Sequence, residues 1–467
     1  MSLFAVLFLI FFSRLQGDDW PRWRGPHRNG ISLETSWSPD TLRNGAKILW
    51  QADVGQGHSS FAVRGNLLYT QGSRFRNNKT IYEENVICFD ASTGREVWRH
   101  DYLTEPRPYT GPRATPTIDA DHVYTLGAEG HLFCFQARSG DVIWTKDLQG
   151  EGLSKNSDWG FCGSPVVLGD RLIVTAGDSG IAFQKDSGKV IWKSGPGKAG
   201  LGTPVPVSLD GEEAVLINND RNLFAVRVKD GGIVWTYPWP YCDADPVVFN
   251  DTALLIGGKP GQSRCNALVD IGTGSAKVSW PTRKMNISPI TWIVYEGHAY
   301  GLAYDKRSIH MQCLDLADGS VTWEKRLKNW AGFTISNGFI ILTESGGDLV
   351  ILEASPRAYR EIVRIPIWDM SDQSEYPDTQ PLCCWTAPVL CNGNIYVRHT
   401  FGGIACIDAA NLSEFPSAGD DEVGAGDVGG GLRSEKFNGG GHIGEGSQPS
   451  GRDVLIGGQN AAFHQPG

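Results

Sequence analysis

The chain has 467 residues, 40% hydrophobic and 20% charged, enough for one large globular body or a few ordinary domains. Its formal net charge is -10 and its basic residues are scattered, so it lacks the positive footprint of a nucleic-acid-binding protein. Ten cysteines at this length are too few for a disulfide-built scaffold.

The first residues, MSLFAVLFLIFFSRLQGDDW, carry an apolar run from Leu3 to Phe12. A spanning helix needs about 20 residues, so the run together with Gly17 predicts a signal peptide over 1–17, although no Lys or Arg precedes it. The expectation is an exported chain, periplasmic or extracellular, soluble after cleavage and without a membrane span. No cysteine precedes Cys88, which argues against an early lipidated cysteine. An extended segment over 18–45 follows.

From Lys47 onward the sequence repeats. CFDASTGREVW (Cys88 to Trp98) returns as CFQARSGDVIW (Cys134 to Trp144), AFQKDSGKVIW (Ala182 to Trp192), AVRVKDGGIVW (Ala225 to Trp235) and CLDLADGSVTW (Cys313 to Trp323). LVDIGTGSAKVSW (Leu268 to Trp280) is a looser copy, and KILWQADV places Trp50 at the end of a headless one. Successive members of the series Trp50, Trp98, Trp144, Trp192, Trp235, Trp280 and Trp323 are 43 to 48 residues apart. Such a period signals a repeat architecture.

Upstream of the cassettes lies a second phrase: TPTIDADHVYTLGAEG, SPVVLGDRLIVTAGDSG, TPVPVSLDGEEAVLINND, DPVVFNDTALLIGG, SPITWIVYEGHAYGLAYD and APVLCNGNIYVRHTFGG. Each is two β-branched or apolar runs around a polar turn, which predicts a hairpin. Adding the two runs of the cassette gives four strands per period, one blade of a β-propeller. Units fall at about 55–100, 111–148, 160–195, 201–239, 242–283, 286–327 and 329–370, and an eighth begins at Trp385 and reaches Cys406 to Asn411 without an outer strand. Lys47 to Val54 supplies that strand. The prediction is an all-β, eight-bladed propeller over 46–411, closed by pairing an N-terminal strand with the last blade, which leaves no open edge at the join.

The cassette, [Cys/Ala]-x-[Asp/Gln]-x-x-[Thr/Ser]-Gly-x-x-x-Trp, resembles the tryptophan-docking motif of the pyrroloquinoline quinone (PQQ)-like repeat propellers. These include the quinoprotein alcohol dehydrogenases and the non-catalytic propeller of the bacterial outer-membrane assembly machinery. DDWPRWRGPHRNGIS (Asp18 to Ser32) resembles the start of exported bacterial propellers of this superfamily that lack an assigned reaction. The indole is large enough to bridge blades, and its N–H wants a partner. Cys88, Cys134, Cys313 and Cys406 occupy the small position of the cassette and read as buried packing thiols.

For chemistry, the resemblance implies PQQ and Ca²⁺ in an alcohol or sugar dehydrogenase, sometimes with a disulfide between neighbouring cysteines. PLCCW supplies an adjacent pair, Cys383 and Cys384, but in the last blade and not an early one. No matching Glu, Asn and Asp set for Ca²⁺ is recognisable, and no Cys-x-x-Cys-His, Gly-x-Ser-x-Gly or His-Glu-x-x-His occurs. Positions just before each first strand converge on one end of the channel: His58, Arg113, Trp159, Asp243, Asp245, Asn286, Trp330, Cys383, Cys384 and Trp385. Their chemistry suits a polar, planar or sugar-like ligand.

The expectation is thus a monomeric scaffold binding a protein or a small polar or carbohydrate ligand, without an assigned cofactor. Its rivals are a PQQ- and Ca²⁺-dependent dehydrogenase and an outer-membrane assembly factor. Residues 412–467 form a Gly-rich tail, with 15 glycines from Ser413 on, whose composition predicts disorder.

Overall fold

The computed structural model describes residues 19–77, 80–106, 111–239, 244–250, 252–256, 266–271, 277–283, 290–305, 308–328, 330–368 and 384–410. The signal peptide and the Gly-rich tail expected from the sequence lie outside these residues. The fold is an eight-bladed β-propeller of four-stranded antiparallel blades. Among the described residues no helix is long and apolar enough to cross a membrane.

Blade 1 runs Ala62–Arg64, Leu67–Arg76, Ile81–Asp90 and Glu96–Leu103 from channel to rim. Blades 2 to 7 repeat this order, with innermost strands Thr117–Asp119, Val166–Leu168, Val205–Leu209, Val247–Phe249, Ile293–Tyr295 and Ala331–Ser336. Four innermost hairpins turn through two residues with positive φ, at Asp210-Gly211, Glu296-Gly297, Asn337-Gly338 and Asn392-Gly393, the geometry whose twist matches paired strands. Blade 8 takes Val389–Cys391, Asn394–Arg398 and Gly403–Asp408 from the end of the propeller, and its outer strand is Lys47–Asp53. Trp50 lies opposite Cys406 in that pairing. Chain-end pairing therefore closes the ring, as the sequence predicts.

The cassette joins neighbouring blades. Trp98 Nε1 donates to the Ala137 carbonyl of the next blade at 2.8 Å, and Trp50, Trp144 and Trp192 donate likewise to Ala91, Lys185 and Val228. That carbonyl stands three residues before the cassette glycine, on which the indole rests. A Cβ at Gly140 would lie 2.6 Å from Trp98, so the glycine permits the approach as well as its φ of +76°. Trp323 reaches Ser355 in the degenerate seventh copy. The Trp280 side chain lies outside the described set, and Trp235 Nε1 has no partner among the described residues. The small residue ten positions earlier is the indole's cross-strand neighbour: Cys88 faces Trp98, Cys134 faces Trp144 and Cys313 faces Trp323. These three thiols and Cys406 are free and fully buried.

The segment from Trp20 to Ser32 crosses the channel at the C-terminal ends of the innermost strands. Trp20 exchanges two backbone hydrogen bonds with Val63, Ile118 N donates to Pro21 O, and Arg28 reaches Val167 O. Arg24 donates to Trp292 O, Ile31–Ser32 pairs in parallel with Ile335 and Ser336, and Ser32 Oγ donates to Leu390 O. Six blades thus hold one strap, which closes that end of the channel.

Candidate binding cavity

Above the strap lies a cavity of about 350 Å³. Two residues before each hairpin phrase the chain turns inward, and this register delivers His58, Arg113, Cys162, Leu201, Trp330 and Trp385 to the wall, one per blade. Trp159 and Tyr304 extend the wall, and Trp23 of the strap forms the floor.

The Ser/Thr/Asp residues that begin the hairpin phrases do a different job. Ser60 N donates to Thr115 Oγ1, Thr115 N to Ser164 Oγ, Ser164 N to Thr203 Oγ1, Thr203 N to Asp245 Oδ1 and Asp245 N to Thr291 Oγ1. Each blade thereby gives a backbone N–H to a side chain of the next, a relay that runs through six blades. Asp245 belongs to this relay, and its second oxygen accepts from Trp23 Nε1 at 2.6 Å. Burial pushes its carboxyl above the usual range, opposed by the charge of Arg24 and by these hydrogen bonds. Arg24, itself brought down to about 10 by burial, donates to three carbonyls beneath the floor.

The opposite wall is aromatic. Trp330 meets Trp385 edge-on at 5.6 Å and 62°, Tyr304 stacks on Trp330 at 5.9 Å, and His58 lies 5.4 Å from Trp385. Burial, then the charges of Arg113 and Arg398, hold the His58 imidazole well below its ordinary pKa, so it is neutral at physiological pH. His58 Nδ1 and Trp385 Nε1 are buried without a hydrogen-bond partner among the described residues.

The structure therefore brings His58, Arg113, Trp159, Asp245, Trp330 and Trp385 to one cavity. Asp243, Asn286 and Cys383 lie outside the described residues. Cys384 stands behind the wall: its carbonyl accepts from Gly332 N and its N–H donates to Ser345 Oγ. Sequence reasoning missed Trp23, Cys162, Leu201 and Tyr304. Cys162 and Leu201 were reachable through the register that gives His58 and Arg113, whereas nothing local marks Trp23.

Residues 82–325, just over half of the chain, match the family model described as outer membrane protein assembly factor BamB. The chain belongs to this family of PQQ-like repeat propellers. The propeller is 23% identical over 385 residues to the outer membrane protein assembly factor BamB of Yersinia pestis, covering 79% of this chain and 78% of that one. In structure it resembles BamB from Moraxella catarrhalis, with a TM-score of 0.54 and 17% identity over 78% of this chain and 97% of that chain. It also resembles the quinohemoprotein alcohol dehydrogenase of Comamonas testosteroni, with a TM-score of 0.60 and 14% identity over 86% and 82% of the two chains. At these identities the structural likenesses show the shared fold.

The dehydrogenase relatives raise the question of whether PQQ with Ca²⁺ fits this cavity. Ca²⁺ takes six to eight oxygen ligands. The cavity's one carboxylate among the described residues, Asp245, has both oxygens committed to Trp23 and Thr203. No group of three or more His, Cys, Asp or Glu side chains gathers to hold a metal among the described residues. The described donor set does not fit the ion.

Proposed function

We propose that this PQQ-like propeller is a binding scaffold of the bacterial cell envelope that works through protein contact, as an outer-membrane assembly factor, without chemistry of its own. The observation that carries this reading is the commitment of Asp245. A carboxylate that serves as metal ligand or general base needs an oxygen within reach of the ion or the substrate proton, and here both oxygens are spent on joining blades 4 and 5 to the strap. Support also comes from the sequence similarity to BamB, which runs over most of the propeller.

A contact surface for such a role stands on blade 1. Its strands Leu67–Arg76 and Ile81–Asp90 are ten residues each, against four to eight in the central strands of the other blades. The elongated hairpin presents Phe75, 40% exposed, on one face, and the next strand ends in Leu103, 68% exposed, on the other, since Phe75 pairs with Tyr82 and Leu103 with Glu83. Exposed apolar side chains on a projection are candidate contact points. The test is photocrosslinking in the cells that produce the chain, with the crosslinker at Phe75 or Leu103 and at Lys189 on the blade 3 turn for comparison. Adducts with outer-membrane β-barrel proteins or their assembly partners from the first two positions, and not from Lys189, are expected. Absence of protein adducts at both positions would overturn the reading.

A further inference from the structure

The wall of the cavity is mostly apolar. Trp23, Trp159, Leu201, Tyr304, Trp330 and Trp385 line it, while the polar atoms at its corner, His58 Nδ1 and Trp385 Nε1, are sealed from its interior. Asp245 is held by Trp23 and Thr203, with the charge of Arg24 nearby. A ligand rich in polar groups would lose water here without recovering hydrogen bonds. Size sets a second limit. A cavity of about 150 Å³ holds one benzene ring, so about 350 Å³ holds a phenyl, phenol or indole group with the chain that carries it.

Shape and charge favour a ring over an aliphatic group. Trp330 meets Trp385 at 62° with Tyr304 stacked on Trp330, so a ring in this corner stacks on one indole and meets the other edge-on. Arg113, the one cationic lining residue among those described, attracts the face of a ring and gains nothing from an aliphatic chain.

The end of the ring on which the cavity opens suits a polypeptide. The innermost strand of blade 1 runs from the cavity end to the strap end, so Leu67–Arg76 and Glu96–Leu103, both antiparallel to their neighbours, finish at the cavity end. Gln56 N donates to Ser73 O at 2.8 Å and Ser73 Oγ to Gln56 O at 2.9 Å, which joins the segment carrying His58 to the elongated hairpin. A groove of about 480 Å³ lies there, lined by Gln56, Arg74, Phe75 and Phe401. Gln56 borders the groove and His58 the cavity, and two residues span at most about 7 Å, the repeat of side chains along one face of an extended chain.

We propose that the cavity seats one aromatic side chain, Phe, Tyr or Trp, of an extended polypeptide segment that continues along the groove to the blade 1 hairpin. This rests on the protein-contact reading above and names what the contacted protein presents. Trp159, 44% exposed at the rim, packs on the segment as it enters.

The experiment titrates the full chain with the peptide acetyl-Ser-Gly-Phe-Gly-Ser-amide, its Leu and Glu counterparts and benzyl alcohol, followed by tryptophan fluorescence and ligand-observed NMR. Saturable binding of the Phe peptide is expected, with the Leu peptide and benzyl alcohol at least threefold weaker and no binding of the Glu peptide. Cys162 lines the cavity and is half-buried, whereas the other described cysteines are buried. Saturating Phe peptide should slow its alkylation by iodoacetamide at least threefold, read by peptide mass mapping. Cys162→Trp, which fills the cavity, should weaken binding more than tenfold and Trp159→Ala at least threefold. Should Cys162→Trp fail to fold, protection of Cys162 in the unaltered chain carries the test. No saturable binding of the Phe peptide, equal binding of the Leu or Glu peptide, or an unprotected Cys162 overturns the proposal. Benzyl alcohol binding as tightly as the Phe peptide overturns the polypeptide assignment. Any of these results with adducts at Phe75 or Leu103 intact leaves the contact reading standing, whereas absence of those adducts overturns that reading whatever the peptides do.

Discussion

Trp23 and Asp245, 222 residues apart in sequence, are joined by an indole-to-carboxylate hydrogen bond of 2.6 Å at the floor of the propeller's cavity. The contact fastens the strap to the relay of blade-to-blade hydrogen bonds, because the other carboxylate oxygen accepts from Thr203 N. Removing the indole N–H in Trp23→Phe leaves a buried carboxylate oxygen unpaired, and urea unfolding should show a loss of about 1–3 kcal/mol. Asp245→Thr, which restores the hydroxyl found in most neighbouring blades, should cost less in the Trp23→Phe background than in the wild type. A coupling of about 1 kcal/mol in the double-mutant cycle is expected, and independent effects would contradict the contact.

The cassette glycines serve two needs, and these separate experimentally. Gly140 and Gly65 both have positive φ, +76° and +55°, but a side chain at Gly140 would strike Trp98 whereas Gly65 faces open space. Both alanine variants carry the backbone penalty, and only Gly140→Ala adds overpacking of about 1–3 kcal/mol. Unfolding free energies should therefore fall clearly further for Gly140→Ala, and equal losses would mean that the indole yields without strain.

Arg398 ties the two ends of the ring together. Its side chain is fully buried and donates to Ser59 O, Gln71 O, Thr70 Oγ1 and Gly55 O, all in or just before blade 1. A planar fork serves several acceptors at fixed angles, which an ammonium does not. Arg398→Lys should lose about 2 kcal/mol or more and Arg398→Ala about 3 kcal/mol or more in denaturant unfolding. Equal stability of Arg398→Lys and wild type would show that the fork geometry is unimportant.

Acid should loosen the same joint through His399. Burial, then the charge of Arg398, bring its imidazole down to about 4, against the opposing charge of Asp53. Its Nδ1 accepts from Phe401 N, a bond that only the neutral ring makes. An unfolded chain takes up this proton near pH 6.5 and the native one near pH 4, so between those values the unfolded state binds more protons. Stability from this group is therefore complete above about pH 6.5 and falls by about 3 kcal/mol as the pH drops to 4. His58, lowered by burial, Arg113 and Arg398, acts in the same direction. Comparing urea unfolding at pH 7 and pH 4.5, His399→Gln should show a smaller pH-dependent loss than the wild type, and an unchanged loss would contradict this origin.

The fold was legible because its joints are encoded in large, rare residues at a fixed spacing. Trp98, Trp144 and Trp192 recur with a glycine and a small partner, and each makes the same contact. The ring closure was legible because Trp50 stood as the tail of a cassette without its head. The cavity was legible only where a residue announces chemistry. His58, Arg113, Trp330 and Trp385 were visible on that basis, while Leu201, in the same register, carries no polar signal. Asp245 reads as a mouth residue from its type, yet it shares its position with Thr203 and Ser164, whose hydroxyls join blades. Trp23 reaches the floor through a strap whose path is set by long-range contacts, which no local pattern records.

The most direct test of the account is a titration of the full chain with PQQ and Ca²⁺, with dye reduction measured across a panel of alcohols and sugars. With Asp245 committed to Trp23 and Thr203, no turnover above the protein-free control is predicted. Dye reduction that saturates with PQQ and disappears in Trp385→Ala would make the cavity a catalytic site and contradict the scaffold reading.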